Sequence, residues 1–188
     1  MMNRLFVCFV SLIVILAAPA RAEVSWFKIS DGSVDIAFVE RSDGLPGVRA
    51  AFAVTGSRQK VWDALQDFSR FSEFFPRVTR VKVHEERDDG DVIELWIDAF
   101  ITEINYVQDR RNEVVGERIT WTRVSGDLER VEGGWTILNA PVNGKAIVIY
   151  ETFVDIGFIP PSWLRGVVED EARSMGRRLQ RIFAAEAR

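Results

Sequence analysis

Apolar and polar residues alternate along much of the chain. From Gly47, the residues Val48, Ala50, Phe52 and Val54 interleave with Arg49, Ala51 and Ala53, the period-2 pattern of a half-buried strand. Gly56-Ser57 stops it. Ser57 is placed to cap a helix by accepting a backbone N–H, and Val61, Trp62, Leu65 and Phe68 follow at helical spacing. Phe68, Phe71, Phe74 and Phe75 then crowd against Pro76, so that strand, capped helix, short aromatic helix and a further strand from Val78 run on with almost no spacer. So many rings in a short connection need a large apolar surface to receive them.

The same patterns place the other elements. Val24 to Ile29 and Val34 to Glu40 read as a hairpin around Asp31-Gly32, and Ser42 to Gly47 as a turn into the strand above. Alternation resumes from Val78 to Glu86, and Asp88-Asp89-Gly90-Asp91 turns the chain. Asp91 to Val107 reads as one long strand, with Ile93, Leu95, Ile97, Ala99 and Ile101 inward and Glu94, Asp98 and Thr102 outward. The apolar phase moves to Ile104 and Tyr106, which predicts a bulge near Thr102. Strands follow at Arg118 to Val124, Leu128 to Leu138 and Lys145 to Ile156, with a hairpin loop at Asn139 to Gly144. After Pro160-Pro161, Leu164, Val168, Ala172, Met175, Leu179 and Ile182 recur every three or four residues, opposite Asp170, Arg173, Ser174, Arg177 and Arg181. A long amphipathic helix after antiparallel strands gives an α+β architecture, with the helix laid across one sheet face.

The first 22 residues stand apart. Arg4, the apolar run Leu5 to Ala18 and Ala20-Arg21-Ala22 have the layout of a secretory signal peptide, cleaved after Ala22. The run is shorter than the roughly 20 residues needed to cross a bilayer, and Cys8 lies within it rather than after a cleavage site, which disfavours lipid attachment. The expected mature chain is residues 23–188, one domain of 166 of the 188 residues, destined for the periplasm or secretion. It has no cysteine, so disulfides and thiol catalysis are excluded. Loss of Arg4 and Arg21 takes the formal charge from -4 to -6, which offers nucleic acid no general attraction.

This order of elements resembles the START-like superfamily, the polyketide cyclase, lipid-transport and coenzyme-Q-binding (SRPBCC) group. The resemblance is carried by Gly47 to Gly56 running into Ser57 to Leu65, by Asp67-Phe68, by Phe74 to Val78 and by Ile159-Pro160 before the last helix. It implies a helix-grip fold, with a curved antiparallel sheet of about seven to eight strands wrapped around the C-terminal helix, a short helix pair after an early strand, and a deep apolar cavity. It also implies binding of a lipid, sterol, isoprenoid, quinone-like compound or aromatic polyketide. An export signal departs from the better-known cytosolic and mitochondrial members.

The last helix carries bulk at its ends, Leu164 and Val168 then Leu179, Ile182 and Phe183, with Ala172 and Gly176 between. Small residues facing a concave sheet leave a void unless a large residue such as Trp121 or Trp135 fills it. The cavity residues expected on this reading are Phe75, Ile97, Ala99, Trp121, Trp135, Tyr150, Ala172 and Met175, with Tyr150 orienting the ligand.

Catalytic signals are sparse. His84, the single histidine, shares a strand face with Lys82 and Glu86, which is unsuited to a triad or a zinc or copper centre. Asp88, Asp89 and Asp91 fit a solvated turn better than a calcium loop. Asp98 falls on the outer face, whereas Glu103 reads as an inward acid partnered by Arg118 or Arg123. Gly133-Gly134 lacks the setting of a phosphate loop and reads as a bulge beside Trp135. Arginines on the last helix form either a solvated face, with Glu169 and Arg173 paired, or a contact for anionic head groups. The expectation is an exported, non-enzymatic binder or carrier of a hydrophobic molecule, without cofactor, metal or nucleic acid and with room for transient membrane contact. A cyclase-like enzyme using Glu103 or Tyr150 and an interaction module with a filled cavity are the alternatives.

Overall fold

Alternation and capping produce the first half of the sheet much as the pattern requires. In β2 (Pro46–Thr55), Val48, Ala50, Phe52 and Val54 are buried against the core. Ser57 Oγ then accepts the Lys60 N–H at 3.2 Å, starting α2 (Arg58–Gln66), which buries Val61, Trp62 and Leu65. A 3₁₀ turn at Phe68–Arg70 leads into α3 (Phe71–Phe74). The computed structural model describes residues 24–99, 102–155 and 161–188. The expected leader with Cys8, Ile101, Ile156 and the Ile159-Pro160 opening lie outside the described residues, as does the side chain of Leu164.

The remaining strands are β1 (Asp35–Glu40), β3 (Val78–Arg87), β4 (Gly90–Asp98), β5 (Glu103–Val114), β6 (Arg118–Gly126), β7 (Arg130–Asn139) and β8 (Lys145–Asp155). All eight form one antiparallel sheet in the order β1-β2-β8-β7-β6-β5-β4-β3. The long helix α4 (Pro161–Glu186) lies in its concave face, giving a helix-grip fold. Ala172, Met175, Leu179 and Phe183 form the buried stripe, while Asp170, Ser174, Arg177 and Arg181 are exposed. Polar contacts fasten the helix at both ends of that stripe. Arg77 Nε donates to Glu171 Oε2 at 2.8 Å, and Glu186 is held by Arg70 at 2.6 Å and by Lys60 at 3.0 Å. No described helix is long and apolar enough to cross a membrane.

Four expectations are corrected. The chain between Trp26 and Ile29 is not the first arm of a hairpin but a one-turn helix, α1. Trp26 and Ile29 are three apart, so one helical turn brings both against the convex face of the sheet, where Ile29 packs with Ala53 and Ile147. The small apolar Ala51 and Ala53 on the outer side of β2 are consistent with this cover.

Residues 91–107 are not one bulged strand. The chain reverses after Asp98, with the Ala99 N–H donating to the Thr102 carbonyl at 2.9 Å, and β5 returns beside β4. Ile97 faces Ile104 and Leu95 faces Tyr106 across this hairpin, so the shift in apolar phase is the mark of a turn.

Gly133 and Gly134 pair in regular register with both neighbouring strands, without a bulge. A β-carbon on Gly133 would stand 2.5 Å from Trp121 Cζ2 and 2.4 Å from the Glu151 carbonyl oxygen, so the glycine makes room for an indole. Gly176 likewise leaves no void. A β-carbon there would meet Val34 at 3.0 Å and Phe52 at 3.1 Å, so the glycine lets α4 approach the sheet closely.

Candidate ligand cavity

The void lies one turn earlier on α4 than Gly176, over Ala172. Alternation sends Ile97 from the end of β4, Ile104 and Tyr106 from β5, and Tyr150, Thr152 and Val154 from β8 to the concave side, and Ala99 just beyond β4 joins them. With Phe75 from the end of α3 and Val168, Ala172 and Met175 from α4, they enclose an outer chamber of about 230 Å3. A second, inner chamber of about 150 Å3 lies toward Phe71, Leu95, Trp121 and Trp135.

Aromatic packing explains why neither chamber is filled. Trp135 and Tyr150 have ring centroids 4.6 Å apart, Trp121 stacks on Tyr150 at 5.8 Å, and Phe75 reaches Trp135 at 5.9 Å. The indoles spend their area on one another and on the surface of Gly133, so they wall the inner chamber instead of plugging the space under α4.

Of the eight residues proposed from the sequence, Phe75, Ile97, Ala99, Tyr150, Ala172 and Met175 line the outer chamber. Trp121 and Trp135 line the inner one, which Phe75, Ile97 and Tyr150 also border. Sequence reasoning missed the polar groups between them. Arg77, Thr152 and Glu171, together with Tyr150, border both chambers. Glu171 had a readable signal, since an acid three residues after Val168 and four before Met175 interrupts an apolar stripe. Thr152 and Arg77 carried none.

Burial sets the electrostatics of this junction. It pushes the Tyr150 phenol up to about 12, with the Glu171 carboxylate adding to the effect and a hydrogen bond with Thr152 opposing it. Tyr106 is driven further upward by burial, with Tyr150 contributing. Both phenols are therefore protonated donors at neutral pH. The Arg77–Glu171 pair places opposite charges side by side at the wall.

At the far end of the inner chamber, Gln108 and Arg110 are the buried polar residues of β5. Arg110 is 2% exposed. Its Nη2 donates to the Leu65 carbonyl at 3.0 Å, its guanidinium lies 4.6 Å from the Phe68 ring centroid, and Nη1 has no hydrogen-bond partner. Burial draws its pKa down to about 10, against the pull of Asp91, whose carboxylate lies 3.8 Å away.

The catalytic alternatives fall on other surfaces. Glu103 is exposed, accepting from Thr79 Oγ1 at 2.9 Å, and is not an inward acid. Its expected partners are engaged elsewhere, Arg118 with Glu113 at 2.7 Å and Arg123 with the Gly126 carbonyl at 2.7 Å. His84 sits beside Glu94 at 2.9 Å. Asp89 pairs with Arg111 at 2.9 Å, and the described residues hold no cluster of three or more His, Cys, Asp or Glu spaced for a metal. Glu169 and Arg173 pair at 2.7 Å on the outer side of α4.

Comparison with known proteins follows this geometry. Residues 54–178 match the family described as polyketide cyclase / dehydrase and lipid transport. No curated protein matches the chain in sequence. Among solved structures, the chain is similar to the ZhuI aromatase/cyclase from Streptomyces sp. R1128, with 17% identity over 76% of this chain and 95% of that one and a TM-score of 0.65. It is also similar to a STAR-related lipid transfer protein from Xanthomonas axonopodis, with 19% identity over 81% and 94% of the two chains and a TM-score of 0.65. Human StAR-related lipid transfer protein 5 shares 13% identity over 84% and 85%, with a TM-score of 0.67. At these identities the likeness is one of fold.

Proposed function

Because the chain belongs to the polyketide cyclase / dehydrase and lipid transport family, we propose that it binds or carries a hydrophobic small molecule, a lipid, isoprenoid or quinone-like compound, between its sheet and α4. The observation that carries this reading is the outer chamber of about 230 Å3, apolar over most of its wall and left open although Trp121 and Trp135 lie nearby. Desolvation supplies the affinity. Burying roughly 300 Å2 of apolar ligand surface at about 25 cal/mol per Å2 contributes about 7 kcal/mol before ordering costs are subtracted. The pattern of residues 1–22 supports export with cleavage after Ala22, and hence work in the periplasm or outside the cell, with loading through transient membrane contact.

The test is organic extraction of the mature chain purified from the envelope fraction of its own cells. The expected result is one apolar compound recovered in near-equimolar amount from a polypeptide beginning at Glu23. A chain that retains Met1, or extracts no richer than those of a control protein, contradicts the corresponding half of the reading.

A second reading, cyclase-like chemistry, is favoured by one observation: Tyr150 and Glu171 line the same chambers. A protonated phenol can polarise a ligand carbonyl while a carboxylate accepts a proton from an adjacent carbon. Incubation with a synthetic chain of alternating ketones, followed by absorbance for the aromatic ring that aldol closure and loss of water would form, tests it, and an unchanged spectrum counts against it.

A further inference from the structure

The two chambers meet at a polar band. Arg77 and Glu171 border both from the α3–β3 connection and α4, Tyr150 and Thr152 border both from β8, and Phe75, Ile97 and Tyr106 complete the shared rim. On either side of the band the walls are mainly apolar, with Leu128, Val131, Val168 and Met175 outward and Phe71, Leu95, Trp121 and Trp135 inward. A polar band between two apolar spaces suits a ligand whose own polar group lies part-way along it.

Resting on the binding function above, we propose that the ligand is an apolar molecule carrying a neutral hydroxyl or carbonyl oxygen between two apolar arms, and that Tyr150, Thr152, Arg77 and Glu171 hold that oxygen. Neutrality follows from the ion pair. Arg77 and Glu171 meet at 2.8 Å, so each already has a counter-charge, and a charged ligand group would enter the band without one. A hydroxyl, by contrast, can donate to Glu171 and accept from the Tyr150 phenol, and a carbonyl can accept from Tyr150 or Arg77.

Arm sizes follow from the volumes. The inner chamber, about 150 Å3, matches the size at which an apolar cavity takes up one benzene ring, so it accepts a short arm of about that bulk. The outer chamber, about 230 Å3, accepts the longer one. A competing placement puts a terminal oxygen beside Gln108 and Arg110 in the inner chamber. Arg110 Nη2 is committed to Leu65 and the guanidinium lies against the Phe68 ring, but Nη1 is left without a hydrogen-bond partner, so this placement is the alternative that a terminal alcohol tests.

The test compares undecan-6-ol with undecan-1-ol, isomers of like hydrophobicity, as competitors of the neutral fluorophore N-phenyl-1-naphthylamine bound to the mature chain. The mid-chain alcohol is expected to displace the fluorophore at about tenfold lower concentration, the effect of one or two hydrogen bonds. In Tyr150→Phe and in Glu171→Gln, both of which keep side-chain shape, that ratio is expected to fall to about twofold or less. Equal potency of the two alcohols, a preference for undecan-1-ol, or a ratio that survives both substitutions overturns the proposal and leaves the binding function standing. If neither the fluorophore nor either alcohol binds, the binding function falls and the proposal with it.

Discussion

Trp121 and Gly133 face each other on β6 and β7, and the indole occupies the space that a side chain at position 133 would need, 2.5 Å from where its β-carbon would lie. The inner chamber depends on this fit, because the same indole stacks on Tyr150 and forms the chamber wall. Gly133→Ala is therefore an overpacking change that also meets the Glu151 carbonyl. It is expected to cost about 1–3 kcal/mol, or roughly 3–10 °C in Tm for a domain of this size. Thermal unfolding followed by circular dichroism checks it. A variant as stable as the parent would mean that the strands can part without loss.

The chain has only two tyrosines, and both line the cavity, Tyr106 buried and Tyr150 partly buried. Their folded pKa values are raised above the ordinary 10.0. The folded protein thus holds these protons more tightly than the unfolded chain, so stability is unaffected below the unfolded pKa and declines as pH rises through and beyond it. At pH 10, the ordinary tyrosine midpoint, the folded protein is expected to show almost no phenolate absorbance, and the urea-unfolded chain about half of the full signal. A half-developed signal in the folded state would place the phenols in water and remove them from the cavity wall.

Arg110 offers a separate check on how a buried cation is tolerated here. Arg110→Ala removes the stem, the ring contact and the counter-charge of Asp91 together, and is expected to cost about 3–5 kcal/mol in urea unfolding. Arg110→Met keeps most of the volume and is expected to cost less than half as much. Burial raises the Asp91 pKa and Arg110 opposes that rise, so in the Met variant Asp91 shifts further up. A raised carboxyl pKa favours the folded state as pH falls, so the Met variant is expected to regain stability relative to the parent between pH 7 and the carboxylate range. Equal losses for Ala and Met at every pH would show that the guanidinium's hydrogen bond to Leu65 dominates.

Much of the architecture is legible where one physical signal acts alone. Ser57 caps α2, Val48 to Val54 alternate, and the α4 stripe turns Ala172, Met175 and Leu179 inward as their spacing requires. Reading fails where two signals overlap. Val24 to Ile29 was short enough to suit a strand or a single helical turn, and only the convex surface at Ala53 and Ile147 decides between them. The phase shift at Ile104 suits a bulge as well as a turn, and the second half of β5 carries Gln108 and Arg110 on its inner side, which breaks the apolar alternation and concealed the strand's run to Val114.

The cavity was legible as a set of residues but not as a shape. Small residues on α4 do two different things, since Ala172 borders open space while Gly176 admits Val34 and Phe52 at contact distance. Spacing cannot distinguish a gap from a close approach. Nor can it show that Arg77 meets Glu171 at the junction, because that pairing exists only once α4 lies across the sheet.

The most direct measurement is native mass spectrometry of the mature chain beside Ala172→Trp, which sets an indole into the outer chamber. The parent is expected to carry the added mass of one apolar molecule, shed in organic solvent, and the folded variant to run at its bare polypeptide mass. Bare mass for both proteins, or the same adduct on both, would contradict a ligand held beneath α4.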